Sequence, residues 1–187
     1  MKEGDIQMLT LQPFTVRDFE QLIRWLPNAA HTLQWGGPAF SYPLTPLQLH
    51  QYTYGANKEE ATTYIFKAVH TVTHEVIGHI SISRVDRLYK RARIGKVLIA
   101  PQYRGHGYGK QLMNAALTYA FVELSLQHVT LGVFHLNETA INCYTQLGFK
   151  EERFIENARA YEHTYWHLIE MGVTKDTWLA AQHAVKL

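Results

Sequence analysis

The chain has 187 residues, 47% of them hydrophobic and 18% charged, with 18 Lys plus Arg against 16 Asp plus Glu for a formal charge of +2. That length suits one domain, residues 1–187, whose core needs neither disulfides nor metal, and the charge is too slight to mark nucleic acid as a partner. No stretch approaches the ~20 apolar residues of a membrane span; with one cysteine, Cys143, and no secretory pattern at the start, the expected location is the cytoplasm.

A strand is expected over residues 8–14, then a helix from about Val16 in which Phe19, Leu22, Ile23 and Leu26 recur at helical spacing before Pro27. Residues 28–46, NAAHTLQWGGPAFSYPLTP, hold Gly36, Gly37, Pro38, Pro43 and Pro46. They read as a long shaped loop, with Thr45 capping a helix that begins at Pro46. β-Branched and aromatic residues dominate 62–72 and 76–83, with THE between them as the turn of a hairpin. RVDRLYKRAR then makes a basic connection, read as a solvated turn, and IGKVLIAP, apolar on both faces, is a central strand. Leu112, Met113, Ala116, Leu117, Ala120, Phe121 and Leu124 form the clearest helical stripe in the chain. HVTLGVFHL follows as a buried strand. Asn137 then caps a helix carrying Ala140, Ile141, Tyr144 and Leu147 on one face, and Gly148 stops it. The alternation in RAYEHTYWHLIEMGV predicts a final strand. This order is that of an α/β (α+β) protein, a mixed sheet with helices packed against it.

Between the central strand and the clearest helix lies YRGHGYGKQL, with Gly105, Gly107 and Gly109 at alternate positions. A strand, a glycine-rich loop and a helix start aim several unpaired backbone N–H groups at one spot, with the positive end of the helix dipole behind them. A phosphate fits there, though the glycines alone are also satisfied by a turn. A P-loop, G-x-x-x-x-G-K-[ST], fails because Arg104 stands five before Gly109 and Gln111 follows Lys110. The dinucleotide pattern G-x-G-x-x-G fails in both registers, at Lys110 and at Leu112. The 11 histidines show no CxxC or HExxH spacing, so no metal site is expected.

What remains is Arg104-x-x-Gly107-x-Gly109 after a strand and before a long helix, followed downstream by LGVFHLNETAINCYTQLGF. In these two stretches the sequence resembles the GCN5-related N-acetyltransferase (GNAT) family, whose acetyl-CoA signature is [QR]-x-x-G-x-[GA]. Leu131, Val133, Asn137, Ala140, Tyr144, Gly148 and Phe149 fit its second hallmark, and the resemblance is strong over about residues 93–149. It implies a mostly antiparallel, twisted sheet of about six to seven strands with about four helices, the central strands splayed to admit acetyl-CoA as cosubstrate. It also implies that the pyrophosphate lies on Arg104, Gly105, His106, Gly107, Tyr108, Gly109 and Lys110, and that the thioester lies along Val97, Leu98 and Ile99. Asn137 and Ala140 would meet the pantetheine arm, and Tyr144 would supply a proton to the departing thiolate. Capping explains Asn137 and core packing explains Tyr144 equally well from sequence.

The reaction this implies is direct attack of a primary amine on the thioester. His135 is a candidate general base, with Glu75 and Asp86 weaker ones and water an alternative. Cys143 is set aside as a nucleophile because adjacent helical residues point about 100° apart, away from a cleft that Tyr144 faces. Trp35, Phe40 and Tyr42 are candidates for the acceptor wall, with His31 at its edge. No carboxylate occurs from residue 31 to 51, which disfavours a highly cationic acceptor there. The favoured acceptor is a small-molecule amine. A peptide N-terminus, as in ribosomal-protein-type acetylation, and a non-catalytic CoA-binding module stay open, as does a homodimer. No nucleic acid or membrane partner is expected.

Overall fold

The computed structural model describes residues 8–184. Seven strands form one sheet in the order β1-β2-β3-β4-β5-β7-β6. They are β1 (Leu9–Pro13), β2 (Tyr64–His70), β3 (Val76–Asp86), β4 (Arg91–Ile99), β5 (His128–Phe134), β6 (Lys150–Tyr161) and β7 (Thr164–Thr174). Six α-helices accompany them among the described residues: α1 (Phe19–Arg24), α2 (Ala29–Gly36), α3 (Pro46–Thr53), α4 (Tyr108–Thr118), α5 (Glu138–Gln146) and α6 (Lys175–Ala184). The expected mixed, mostly antiparallel sheet is borne out, because β4–β5 is the one parallel pair.

Hydrophobic burial sorts the helices onto two faces of this sheet. On one face the α4 stripe, Leu112, Met113, Ala116 and Leu117, packs against Phe66, Ile80, Ile82, Ile94 and Val129. On the other, Phe19 and Leu22 of α1, Trp35 of α2 and Leu49 of α3 close over Ile65 and Ala100. Buried apolar area of this kind is the dominant favourable contribution to folding. The polar period-2 residues of β3, His79, Ser81 and Ser83, lie on this second face, in the same alternation as Ile65 of β2.

The pairing of β4 with β5 covers only three residue pairs, Arg91–His128, Ala92–Val129 and Arg93–Thr130, after which the strands part. At that fork the Arg93 guanidinium crosses β5 to make a two-pronged salt bridge with Glu170 of β7, at 2.5 and 2.9 Å. A Cβ on Gly132 would come within 2.4 Å of the Arg93 guanidinium, so a larger residue there would have to displace this arm. Forked Arg–carboxylate pairs fix orientation as well as energy, and this one braces the sheet where its ladder opens.

Several expectations need correction. Residues 28–46 are not a continuous loop: α2 forms there, its Asn28 side chain accepting the His31 N–H at 2.9 Å and Gly37 closing its C-terminus. Asn28 and Gly37 are the local cap and stop signals of this helix, and the Gly-Pro run lies beyond its end. RVDRLYKRAR is mostly strand, completing β3 and beginning β4, with only residues 87–90 turning. RAYEHTYWHLIEMGV contains a turn at Glu162 and His163 that joins β6 to β7, which no Gly, Asn or Pro announced. Helix α6 follows β7 directly, beyond the last element expected from the sequence. It docks on α4 through Trp178 and Gln182, both donating to the Asn114 side-chain oxygen at 2.9 Å.

Candidate active site

The parting of β4 and β5 opens a cleft of about 870 Å³, floored by α5 and entered past the glycine loop. At its mouth Gly107 is the N-cap of α4, with φ +78° and no side chain capping the helix. The first intrahelical bond runs from the Gln111 N–H to the Gly107 carbonyl at 3.3 Å, which leaves the amides of Tyr108, Gly109 and Lys110 without helical acceptors. Built Cβ atoms at Gly105, Gly107 and Gly109 meet nothing within 4 Å, so the loop surrounds open space. Arg104 and Lys110 add positive charge at the rim. Arg104 Nε donates to the Ile99 carbonyl at 3.1 Å, and Lys110 Nζ donates to Gln146 Oε1 of α5 at 3.3 Å.

Tyr108 is set from behind. The Val72 and Thr73 N–H groups donate to His70 Nδ1 at 3.3 and 3.1 Å, so the His70 proton sits on Nε2 and is directed at the Tyr108 hydroxyl, 3.0 Å away. That hydroxyl is left to donate outward.

Deeper in, β4 bulges. The register against β3 slips between Ser81–Gly95 and His79–Leu98, and Lys96 takes φ +56°. A bulge releases backbone groups from the ladder and re-aims side chains. Here it is pinned by two donors on the Lys96 carbonyl, Trp35 Nε1 at 2.9 Å and His79 Nδ1 at 2.9 Å. The His79 ring stands edge-on to Phe14 and Trp35, with Nε2 buried and unpartnered. Burial depresses its pKa to about 4, so the ring is neutral with its proton on Nδ1.

The consequence for stability has a definite sign. Between the ordinary histidine value of 6.5 and about 4, the unfolded chain takes up a proton at His79 that the folded chain refuses. Stability from this group is therefore complete above the upper value and declines through the window as pH falls, by roughly 3 kcal/mol in total. Urea unfolding across that range is expected to show the decline in the native protein and a flatter profile in His79→Leu.

The cleft brings together most of the residues singled out in the sequence. Val97, Leu98, Ile99, Arg104, Gly105, Gly107, Tyr108, Gly109, Lys110, Asn137, Ala140 and Tyr144 all line it. His106 does not, and lies beside the Tyr108 ring. Asn137 caps α5 by accepting the Ala140 N–H at 3.2 Å while also facing the cleft. Tyr144 is 8% exposed, packs on Phe149 and has its pKa pushed up by burial, so its hydroxyl stays protonated. Cys143 also lines the cleft, contrary to the helical-angle argument, but burial raises its pKa and holds the thiol protonated.

The base candidates lie elsewhere. His135 is outside the cleft lining, its Nδ1 accepting the His167 N–H at 3.1 Å and its ring 4.6 Å from that of His167. Glu75 accepts a hydrogen bond from the Tyr103 hydroxyl, which holds its carboxyl below the usual range, and Asp86 pairs with Arg91 at 3.4 Å at the far end of β4. Of the aromatic trio, Trp35 lines the cleft together with His31. Phe40 packs on Trp35 at 4.8 Å and borders a second cavity. Tyr42 is 49% exposed, its hydroxyl donating to the Pro27 carbonyl at 3.0 Å, and lines neither space. Sequence reasoning passed over Lys96 and His79 as site residues. Gly95 inside a strand and the alternation of His79, Ser81 and Ser83 were the available signals.

A splayed sheet with an anion cradle at its mouth is the architecture of a transferase that uses an acyl-CoA thioester. A model of the Acetyltransferase (GNAT) family matches residues 22–149. The chain belongs to that family, whose cosubstrate is acetyl-CoA. It is 32% identical over 77 residues to a spermidine N(1)-acetyltransferase of Vibrio cholerae, covering 41% of this chain and 44% of the relative. It is 33% identical over 95 residues to a streptothricin acetyltransferase of Streptomyces lavendulae, covering 51% and 49%. The matches thus span about half the length of these relatives. In fold it is similar to the Vibrio cholerae spermidine N-acetyltransferase solved with CoA and spermine, with TM-score 0.81 at 21% identity over 93% of this chain and 99% of that one.

Proposed function

We propose that the protein transfers the acetyl group of acetyl-CoA to the primary amine of a small molecule. The observation that carries this reading is the convergence, in one cleft, of the open glycine cradle, the β4 bulge and the protonated Tyr144 hydroxyl. The cosubstrate supplies an acetyl group already activated as a thioester. The chain's contribution is alignment, for which well-oriented reactions gain up to about 7–11 kcal/mol.

In this reading the amides of Tyr108, Gly109 and Lys110, with Arg104 and the outward hydroxyl of Tyr108, hold the pyrophosphate. Backbone N–H groups freed at the Lys96–Val97 bulge serve as donors where negative charge develops, and the Trp35 and His79 bonds to the Lys96 carbonyl keep them in place. Tyr144 holds a proton at its hydroxyl for the departing sulfur. With His135, Glu75 and Asp86 outside the cleft, the amine proton passes to water. The single cysteine fits a reducing compartment, and we place the reaction in the cytoplasm.

The test is CoA thiol release from acetyl-CoA in the presence of a panel of small amines, with the acetylated product identified by mass spectrometry. Amine-dependent release is expected. Acetyl-CoA binding without such release from any amine would make this a CoA-binding module instead.

A further inference from the structure

Behind the β4 bulge lies a second cavity, of about 280 Å³, lined by Phe40, Gln48 and Tyr52 on the helical side and by Ser81 and Ser83 on the sheet side. Lys96 borders both this cavity and the cleft. The positive φ of Lys96 and the two bonds to its carbonyl place this residue where the two spaces meet. Its ammonium group lies 5.7 Å from the Phe40 ring centroid.

The charges here are one-sided. Among the described residues no Asp or Glu lines either space, and Lys96 takes part in no salt bridge. Burial, with Arg93 and Arg84 nearby, pulls the Lys96 pKa below its ordinary value. The remaining polar lining is neutral: the amides of Gln48 and Gln51 and the hydroxyls of Tyr52, Thr63, Ser81 and Ser83. The Tyr52 hydroxyl is buried beside Ser81, whose Oγ donates to the Gly95 carbonyl at 3.1 Å. A partly buried cation without a counter-ion carries a desolvation cost that a bound anionic group relieves.

We propose that this cavity is the acceptor's recognition subsite and that it takes a carboxylate carried by the same molecule as the amine, with Lys96 as its counter-charge. The acceptor is then an amino-carboxylate and not a polyamine, because among the described residues a polycation finds no carboxylate in the cleft or the cavity and meets Lys96 where they join. This rests on the N-acetyltransferase reading above.

Matched pairs test it: leucine against leucinamide, phenylalanine against phenylalaninamide and β-alanine against β-alaninamide, with spermidine as the polycation, all read by CoA release. In the best pair the acid is expected to exceed its amide by about tenfold in kcat/KM, the worth of one charge-assisted contact, with spermidine below both. Lys96→Met is expected to bring that ratio to about one and Lys96→Arg to keep it; should the Met variant fail to fold, the native ratio alone decides. Calorimetry on the CoA-loaded protein with N-acetylleucine against N-acetylleucinamide reads the subsite without turnover. Acid and amide equal in both assays, or spermidine the best acceptor, would overturn the subsite and leave the reaction standing. Preferred binding of the acid with no turnover of any amine would keep the subsite and overturn the reaction.

Discussion

Tyr144→Phe is expected to lower kcat by about 100-fold while leaving KM for acetyl-CoA within about threefold. The ring is 8% exposed and packs against Phe149 at 5.9 Å, contacts that phenylalanine retains. No protein group among the described residues hydrogen-bonds the hydroxyl, so its removal leaves no buried partner unsatisfied. The substitution therefore isolates one proton, held on oxygen by burial at any working pH. Steady-state kinetics checks this beside thermal unfolding, which is expected to be nearly unchanged. A native kcat in the variant would reduce Tyr144 to a packing residue.

Gly107→Val is expected to raise KM for acetyl-CoA by about 10- to 100-fold, the worth of one lost charge-assisted bond from the cradle. Two effects combine. Gly107 adopts φ +78° and ψ −1°, a left-handed conformation that costs other residues roughly 1–2 kcal/mol. The added carbons enter the space that the loop leaves open. Gly109→Ala separates the two, because Gly109 lies within α4 without a positive φ and its Cβ meets no atom. Alanine there is expected to stabilise the helix by about 0.5–1 kcal/mol and still raise KM. Both variants are checked by kinetics at saturating amine and by urea unfolding. A stabilised Gly109→Ala with native KM would mean that the glycine spacing serves the turn and not a ligand.

The parts of the molecule legible in the sequence are those whose causes are local. The α4 stripe, the Asn137 cap, the Gly148 stop and the glycine loop each depend on residues within about one or two helical turns, so their spacing carries the information. The failures have the opposite character. Asn28 and Gly37 frame α2 by local signals, but a helix of eight residues owes its stability to Trp35 packing beneath α3, which no window around it contains. The turn between β6 and β7 falls at Glu162 and His163, where the strand alternation runs through unbroken. His135 has a position two residues before Asn137 that suggested chemistry, yet its register against His167 turns its ring to that partner. Tyr42 and Trp35 stand seven residues apart in one aromatic run. One reaches the cleft and the other the surface, according to which of them α2 carries inward.

By itself the sequence determined the glycine loop and the helix start behind it, because a run of consecutive backbone amides follows the chain order directly. The inner half of the cleft was decided by tertiary structure alone. The cleft exists because β4 and β5 stop pairing after Arg93 and Thr130, and its inner wall is set by Trp35 and His79 meeting the carbonyl of Lys96, 61 and 17 residues away. Nothing in the composition marks Lys96 as different from the other lysines. Its burial, its missing counter-ion and its place between two cavities arise only when distant segments close around one bulge.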